Sequence, residues 1–172
     1  MKITCVMVSS VNGKITKGDS PRVRDWSSKE DVKQFFGLVE KSRLIVMGTK
    51  TYEVVKKNMK HNEKRLRIVM TRNSSKYQVL SIKNKLEFTS EGPVELVKRL
   101  EKLGFKEMLL VGGGETNGLF FKENLVNELI LTIEPKIFGK GRNLVEDVDF
   151  QTRLTLKKVE RLNSCFPTPL KR

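Results

Sequence analysis

The sequence predicts an α/β domain built on a mainly parallel central sheet. Three observations carry this reading: short apolar runs of strand length alternate with stretches at helical spacing, several of the handovers pass through glycine, and the 172 residues contain no repeat, low-complexity tract or linker. A chain near ~150 residues already hides roughly two-thirds of its unfolded surface, so one domain over residues 1–172 is expected.

The elements follow in order. Ile3 to Ser9 is an apolar run that reads as a buried strand, and "VNGK", Val11 to Lys14, supplies turn chemistry after it. A loop rich in Gly, Asp, Ser and Pro runs to about Asp25. In "SSKEDVKQFFGLVEKS", Ser27 or Ser28 can cap, Lys29, Glu30 and Asp31 fill the first turn, and Val32, Phe35, Phe36 and Val39 recur at helical spacing. "RLIVMG" is a strand ending at Gly48, and "TKTYEVVKK" opens a second helix. "LRIVMT", Leu66 to Thr71, is a third strand before the turn-rich "RNSSK", while "YQVL" and "LEFT" are weaker strand candidates. "PVELVKRLEKLG", Pro93 to Gly104, places Pro at the first helical position and Gly at the stop. "EMLLVGGG" is a strand running into glycines and "ETNGLFFKENL" is the helix after them. "NELILTIEPKIFG" reads as a long strand and "LTLKKVERL" as another. The C-terminal "NSCFPTPLKR" contains Pro167 and Pro169, which cannot donate ladder hydrogen bonds.

Composition bounds the function. Thirty-four Lys and Arg against twenty Asp and Glu give a formal charge of +14, which favours anionic partners but forms no like-charge block. A basic nucleic-acid-binding domain is the competing class. It is disfavoured because no nucleic-acid motif is visible and Trp26, Tyr52 and Tyr77 are not interleaved with a basic stripe. Two cysteines, Cys5 and Cys165, are too few for a disulfide framework, and with the single His61 they cannot assemble a zinc site of ordinary spacing. The N-terminus lacks a long apolar signal region and no apolar run approaches the ~18 residues of a membrane span. A cytoplasmic protein without metal or membrane partner is expected.

Three strand ends carry phosphate-binding chemistry. Gly112, Gly113 and Gly114 stand between a strand and a helix, where absent side chains allow close approach and the helix start offers free amides and partial positive charge. The triplet has neither the GxGxxG spacing nor a following GK[ST]. "VMGTKTYE", Val46 to Glu53, repeats the design with Gly48, Thr49, Lys50 and Thr51, and "MTRNSS", Met70 to Ser75, adds hydroxyls and Arg72. Two such helix starts in one sheet suit a dinucleotide better than a single phosphate.

On these motifs the chain resembles the dihydrofolate reductase superfamily, which includes the reductase domain of the bifunctional riboflavin-pathway deaminase/reductase. The similarity runs from Ile3 to about Leu162. It implies a dihydrofolate-reductase-like fold with helices on both faces of the central sheet, and NADPH as cofactor. By this resemblance Gly48, Thr49, Lys50 and Thr51, with Val111, Gly112, Gly113, Gly114, Glu115 and Thr116, grip the pyrophosphate side. Thr71, Arg72 and Asn73 hold the adenosine 2′-phosphate, and Val8 and Ile15 lie near the nicotinamide beneath the loop from Val11 to Asp25.

The substrate side is carried over residue by residue. Trp26, Asp31 and Phe35 match the family's Trp, acid, Phe spacing, and the four-residue step from Asp31 to Phe35 puts both on one helix face. Asp31, flanked by Trp26, Phe35 and Phe36, is the catalytic candidate, desolvated enough to carry a proton. Thr132 matches the threonine that bonds this acid, Arg65 the arginine for a folate tail carboxylate, and Val6 completes the set.

The resemblance implies hydride transfer to a C=N bond of a small heterocycle. Dihydrofolate is the first expectation and the phosphoribosylamino-pyrimidine of riboflavin synthesis the alternative. Val111 stands where riboflavin-pathway reductases carry an acid, "KTYEVVKKN" replaces their "DDP" segment, and Asn12 replaces a frequent Asp; "GGGETNG" and "IEPKIFGKG" resemble that branch or divergent thermophilic dihydrofolate reductases more than common dihydrofolate reductases. A homodimer is the family-based expectation.

Overall fold

In a computed structural model of the protein, which describes residues 1–146 and 148–162, the apolar runs become strands: β1 (Lys2–Ser10), β2 (Leu44–Gly48), β3 (Leu66–Met70), β4 (Leu86–Thr89), β5 (Glu107–Leu110) and β6 (Glu128–Glu134). Between them lie α1 (Lys29–Lys41), α2 (Thr49–Val55), α3 (Ser74–Tyr77), α4 (Pro93–Lys102) and α5 (Gly114–Lys122). The sheet order is β4-β3-β2-β5-β1-β6, and every neighbouring pair is parallel. All strands therefore end on one edge of the sheet. Because β2 lies between β3 and β5, the turns after Gly48, Met70 and Leu110 are brought side by side.

The two-residue period of a strand divides the core. Ile3, Cys5, Leu44, Val46, Ile68, Met70, Met108 and Leu110 face α4 and α5, meeting Leu96, Leu100 and Phe120. Val6, Ile45, Met47, Val69, Phe88 and Leu109 face the other way, against Phe35, Leu38 and Val39 of α1 and Tyr52 of α2. Helices on both faces explain why whole strands such as β2 are buried. Full burial of a leucine such as Leu96 or Leu100 is worth about 1.5–3 kcal/mol relative to exposure. No helix among the described residues is long and apolar enough to cross a membrane.

Three strand expectations fail. "YQVL" folds as the end of α3 and a 3-10 turn, Gln78–Leu80. Asn73 caps this turn by accepting from the Lys76 amide at 3.1 Å, and β4 already fills the sheet position beyond β3, leaving Val79 87% exposed. The run "NELILTIEPKIFG" pairs with β1 only as far as Glu134; Pro135, without an N–H, follows immediately, and Ile137 is exposed. "LTLKKVERL" forms no strand: among the described residues β6 is an edge, the segment does not pair with it, and Leu154, Leu156 and Val159 face solvent. Cys165, Pro167 and Pro169 lie outside the described residues.

Candidate functional site

The glycine turns meet as the sequence suggests. Gly48 donates its N–H to the Gly112 carbonyl at 2.8 Å, joining the ends of β2 and β5. Gly112 has φ +82°, a conformation that favours glycine, and a β-carbon there would come within 2.9 Å of the Met7 sulfur. The Gly112–Gly113 peptide is cis. Gly113 faces Thr51 across a narrow gap, and Thr49 Oγ1 donates to the Met70 carbonyl at 3.1 Å, which ties the start of α2 to the end of β3.

The charges gather at the first turn of α5. Lys50 pairs with Glu115, and Arg72 and Arg142 approach the same carboxylate at 3.7 and 3.6 Å. The Lys50 hydrogen bond foremost holds the Glu115 carboxyl below its usual range. Three cations and the unpaired first-turn amides of α5 thus surround the glycine turn. Thr71 accepts from the Asn73 N–H at 3.3 Å, and Arg72 reaches into solvent beside them. This donor set fits the phosphates of a dinucleotide. Val8 and Ile15 are buried nearby, and the loop carrying Ile15 is tied to the 136–144 segment through Ile15 N to Arg142 O at 2.8 Å and Leu144 N to Gly13 O at 3.1 Å.

The acid lies on the same strand-end edge, toward β1 and β6. Ser28 caps α1 by accepting from the Asp31 N–H at 3.2 Å, and Asp31 itself is buried. Burial raises its carboxyl above the ordinary value; hydroxyls of Thr132 and Ser27 oppose the rise, and the charge of Glu134 adds to it. Ser27 Oγ nevertheless has no partner at hydrogen-bond geometry, and neither does the buried Trp26 Nε1. Two buried polar atoms without partners thus stand in the turn that leads to Asp31, whose carboxyl burial raises. Trp26 is held edge-on to Phe138, with ring centroids 5.2 Å apart.

Phe35 packs into the α1-side core next to Val6 and Val111. Phe36, about 140° around the helix from Asp31 at roughly 3.6 residues per turn, instead lies under Arg24, whose guanidinium carbon is 5.0 Å from the ring centroid. It lines a cleft of about 400 Å³ with Arg24, Ser27, Lys29 and Val32, and Asp31 is not among the walls. Phe36 therefore does not flank the acid as the sequence suggested. Arg65 stands at the far end of α1, which rises roughly 13 Å from Asp31 to Glu40 at about 1.5 Å per residue. It donates to Ser42 O at 2.9 Å and Glu40 O at 3.1 Å, capping the last turn of the helix.

Sequence reasoning passed over Glu134, which is 5% exposed and accepts from the Ser28 N–H at 2.7 Å, and Lys136, which donates to the Trp26 carbonyl. The signal was the spacing: Thr132 and Glu134 share a face of β6. Asn12 also acquires a reason, since its amide donates to Phe138 O at 2.8 Å and accepts from Phe138 N at 3.2 Å, a pair of bonds an ionised aspartate cannot make.

The family model for the RibD C-terminal domain matches residues 1–165. Two Bacillus subtilis (strain 168) proteins are similar along most of the chain: YwjB, 26% identical over 162 residues, covering 91% of this chain and 89% of its own, and YyaP, 24% identical over 143 residues, covering 78% and 75%. A solved putative riboflavin biosynthesis protein from Shewanella sp. PV-4 has TM-score 0.69 at 21% identity, with 88% and 86% of the two chains covered. A pyrimidine reductase-like protein from Corynebacterium diphtheriae has TM-score 0.72 at 15% identity, with 91% and 85% covered. At these identities the two structures establish the shared fold.

Proposed function

The chain belongs to the RibD C-terminal domain family, and from that premise we propose that it is an NADPH-dependent reductase of a phosphoribosylamino-pyrimidine, the substrate class of riboflavin synthesis. Dihydrofolate, the first expectation from sequence, gives way to this alternative. The family match spans 1–165, and the two solved relatives are named for riboflavin biosynthesis and for pyrimidine reduction. The observation that carries the reading is the buried Asp31 carboxyl, raised by burial, on the same strand-end edge as the glycine turns and their cations.

In this reading Gly112, Gly113, Gly114, Thr116 and the α5 amides hold the pyrophosphate, with Gly48, Thr49, Lys50 and Thr51 on the facing turn. Thr71, Arg72 and Asn73 take the 2′-phosphate. Val8, Ile15 and Val111 line the nicotinamide side. Glu115 keeps Lys50, Arg72 and Arg142 gathered at the mouth of this turn. When bound, NADPH supplies the hydride that adds to the carbon of the C=N bond. Asp31 holds the proton destined for the nitrogen, Thr132 orients the carboxyl, and Trp26, Phe35 and Val6 wall off water around it. Arg65, at the other end of α1, is placed for a distal anionic group of the substrate only if its donors leave the helix carbonyls. A cytoplasmic location and a homodimer belong to the same reading, the latter checked by light scattering.

The test follows NADPH oxidation with the deaminated phosphoribosylamino-pyrimidine and, in parallel, with dihydrofolate. Consumption with the pyrimidine alone is the expected result. Consumption with dihydrofolate alone restores the first expectation, and inertness toward both removes the assignment.

A further inference from the structure

Glu134 ends β6 as a buried carboxylate that the reading above leaves unused. Its side chain leaves the same face of the strand as Thr132, which is the face that meets the first turn of α1. Glu134 Oε1 accepts from the Ser28 N–H at 2.7 Å, and Ser28 Oγ accepts from the Asp31 N–H at 3.2 Å. The end of β6 is therefore tied to the turn that carries Asp31. Lys136, just beyond, has its ammonium 3.9 Å from Glu134 Oε2 and also bonded to the Trp26 carbonyl, so it only partly offsets the Glu134 charge. Facing Asp31 are Glu134 from β6 and the hydroxyls of Thr132 and Ser27; facing Glu134 are Asp31 and Lys136. A negative charge at Glu134 opposes ionisation of the Asp31 carboxyl.

We propose that Glu134 is a positioning residue for Asp31: it fixes the start of α1 through Ser28 and makes with Asp31 a charge-coupled pair in which Asp31 keeps its proton on the substrate side. The inference rests on the proposed reduction. There the hydride, with its two electrons, leaves the reduced nicotinamide for the carbon of the C=N bond, the nitrogen takes the proton of the pair, and water restores that proton. The raised Asp31 carboxyl, lifted first by burial and further by Glu134, agrees with the geometry.

Glu134→Gln keeps an amide oxygen for the Ser28 N–H while removing the charge. Carbon-13 NMR of aspartate-labelled protein, with the Asp31 signal assigned by its loss in Asp31→Asn, reads the titration without substrate. The Asp31 midpoint is expected at lower pH in Glu134→Gln than in the wild type, and the alkaline limb of the kcat profile moves the same way. Lys136→Met, which removes the offsetting cation, is expected to move both to higher pH. An Asp31 midpoint unmoved in folded Glu134→Gln overturns the pair, whatever the protein reduces; if that variant does not fold, an unmoved midpoint in Lys136→Met does so instead. A lowered midpoint in a protein that turns over neither heterocycle upholds the pair and overturns the proposed reaction.

Discussion

The hydroxyl of Thr116, in the first turn of α5, occupies the space that a β-carbon on Gly48 would need. This contact locks the helix after β5 onto the end of β2 and sets how closely the two glycine turns approach. Gly48→Ala is expected to cost about 1–3 kcal/mol through overpacking. Thr116→Ala in the same chain should return most of that loss, because it removes the colliding oxygen. Urea unfolding of the single and double variants measures both, and a Gly48→Ala protein as stable as the wild type would show that the two turns are not held in register here.

Asp31 is expected to trade stability for chemistry. Its folded pKa is raised, so the folded protein binds more protons than the unfolded chain once pH exceeds the ordinary 3.8. Stability therefore falls as pH rises from 3.8 through the raised folded value, and stays lower above it. Asp31→Asn has no such titration. Its unfolding midpoint should gain on the wild type between acid and neutral pH, while turnover drops by about 100-fold or more if the carboxyl supplies the proton. Denaturant midpoints at two pH values and steady-state rates check the two halves separately.

Much of this was readable in the chain because the signals are local. The two-residue period of "LIVMG" places Leu44 and Val46 on one core and Ile45 and Met47 on the other, and the four-residue step from Asp31 to Phe35 fixes a helix face. Several of the failures share one cause: they depend on what lies opposite. Nothing in "LTLKKVERL" tells whether β6 will accept it as a neighbour, and this segment does not pair there. Arg65 looks free until the last carbonyls of α1 are seen to receive it. Glu134 becomes part of the site only through Ser28, 106 residues earlier.

Acid should loosen the β4–α4 edge first. Arg99 of α4 bonds Glu91 at 2.7 Å and also pairs with Glu87 of β4, and its hydrogen bond foremost holds the Glu91 carboxyl below the ordinary 4.5. A depressed carboxyl stabilises the fold fully above 4.5 and loses that contribution as pH falls through the folded value. These side chains are about one-third exposed, so solvent screens them and the network is worth only about 1 kcal/mol. Arg99→Met should lower the unfolding midpoint at neutral pH, with the gap to the wild type closing below 4.5. A gap independent of pH would assign the loss to packing of the arginine stem.

Cys5 should report global opening. It is fully buried in β1, burial pushes its thiol up to about 12, and its sulfur sits 3.7 Å from Asn117 Oδ1. Alkylation near neutral pH needs both exposure and thiolate, so iodoacetamide should reach this residue only when β1 separates from α5. Asn117 also donates to Leu144 O at 2.9 Å, holding the segment that closes over α5. Asn117→Ala leaves that carbonyl without its donor at a cost of about 1–3 kcal/mol. Since 1.4 kcal/mol is a factor of ten, labelling of the Cys5 peptide should accelerate roughly 5- to 100-fold when opening is in rapid equilibrium. Peptide-level mass spectrometry separates this thiol from Cys165. Rapid labelling of the wild type in native buffer would mean that β1 opens without global unfolding, and that the core around Phe120 is not a single cooperative unit.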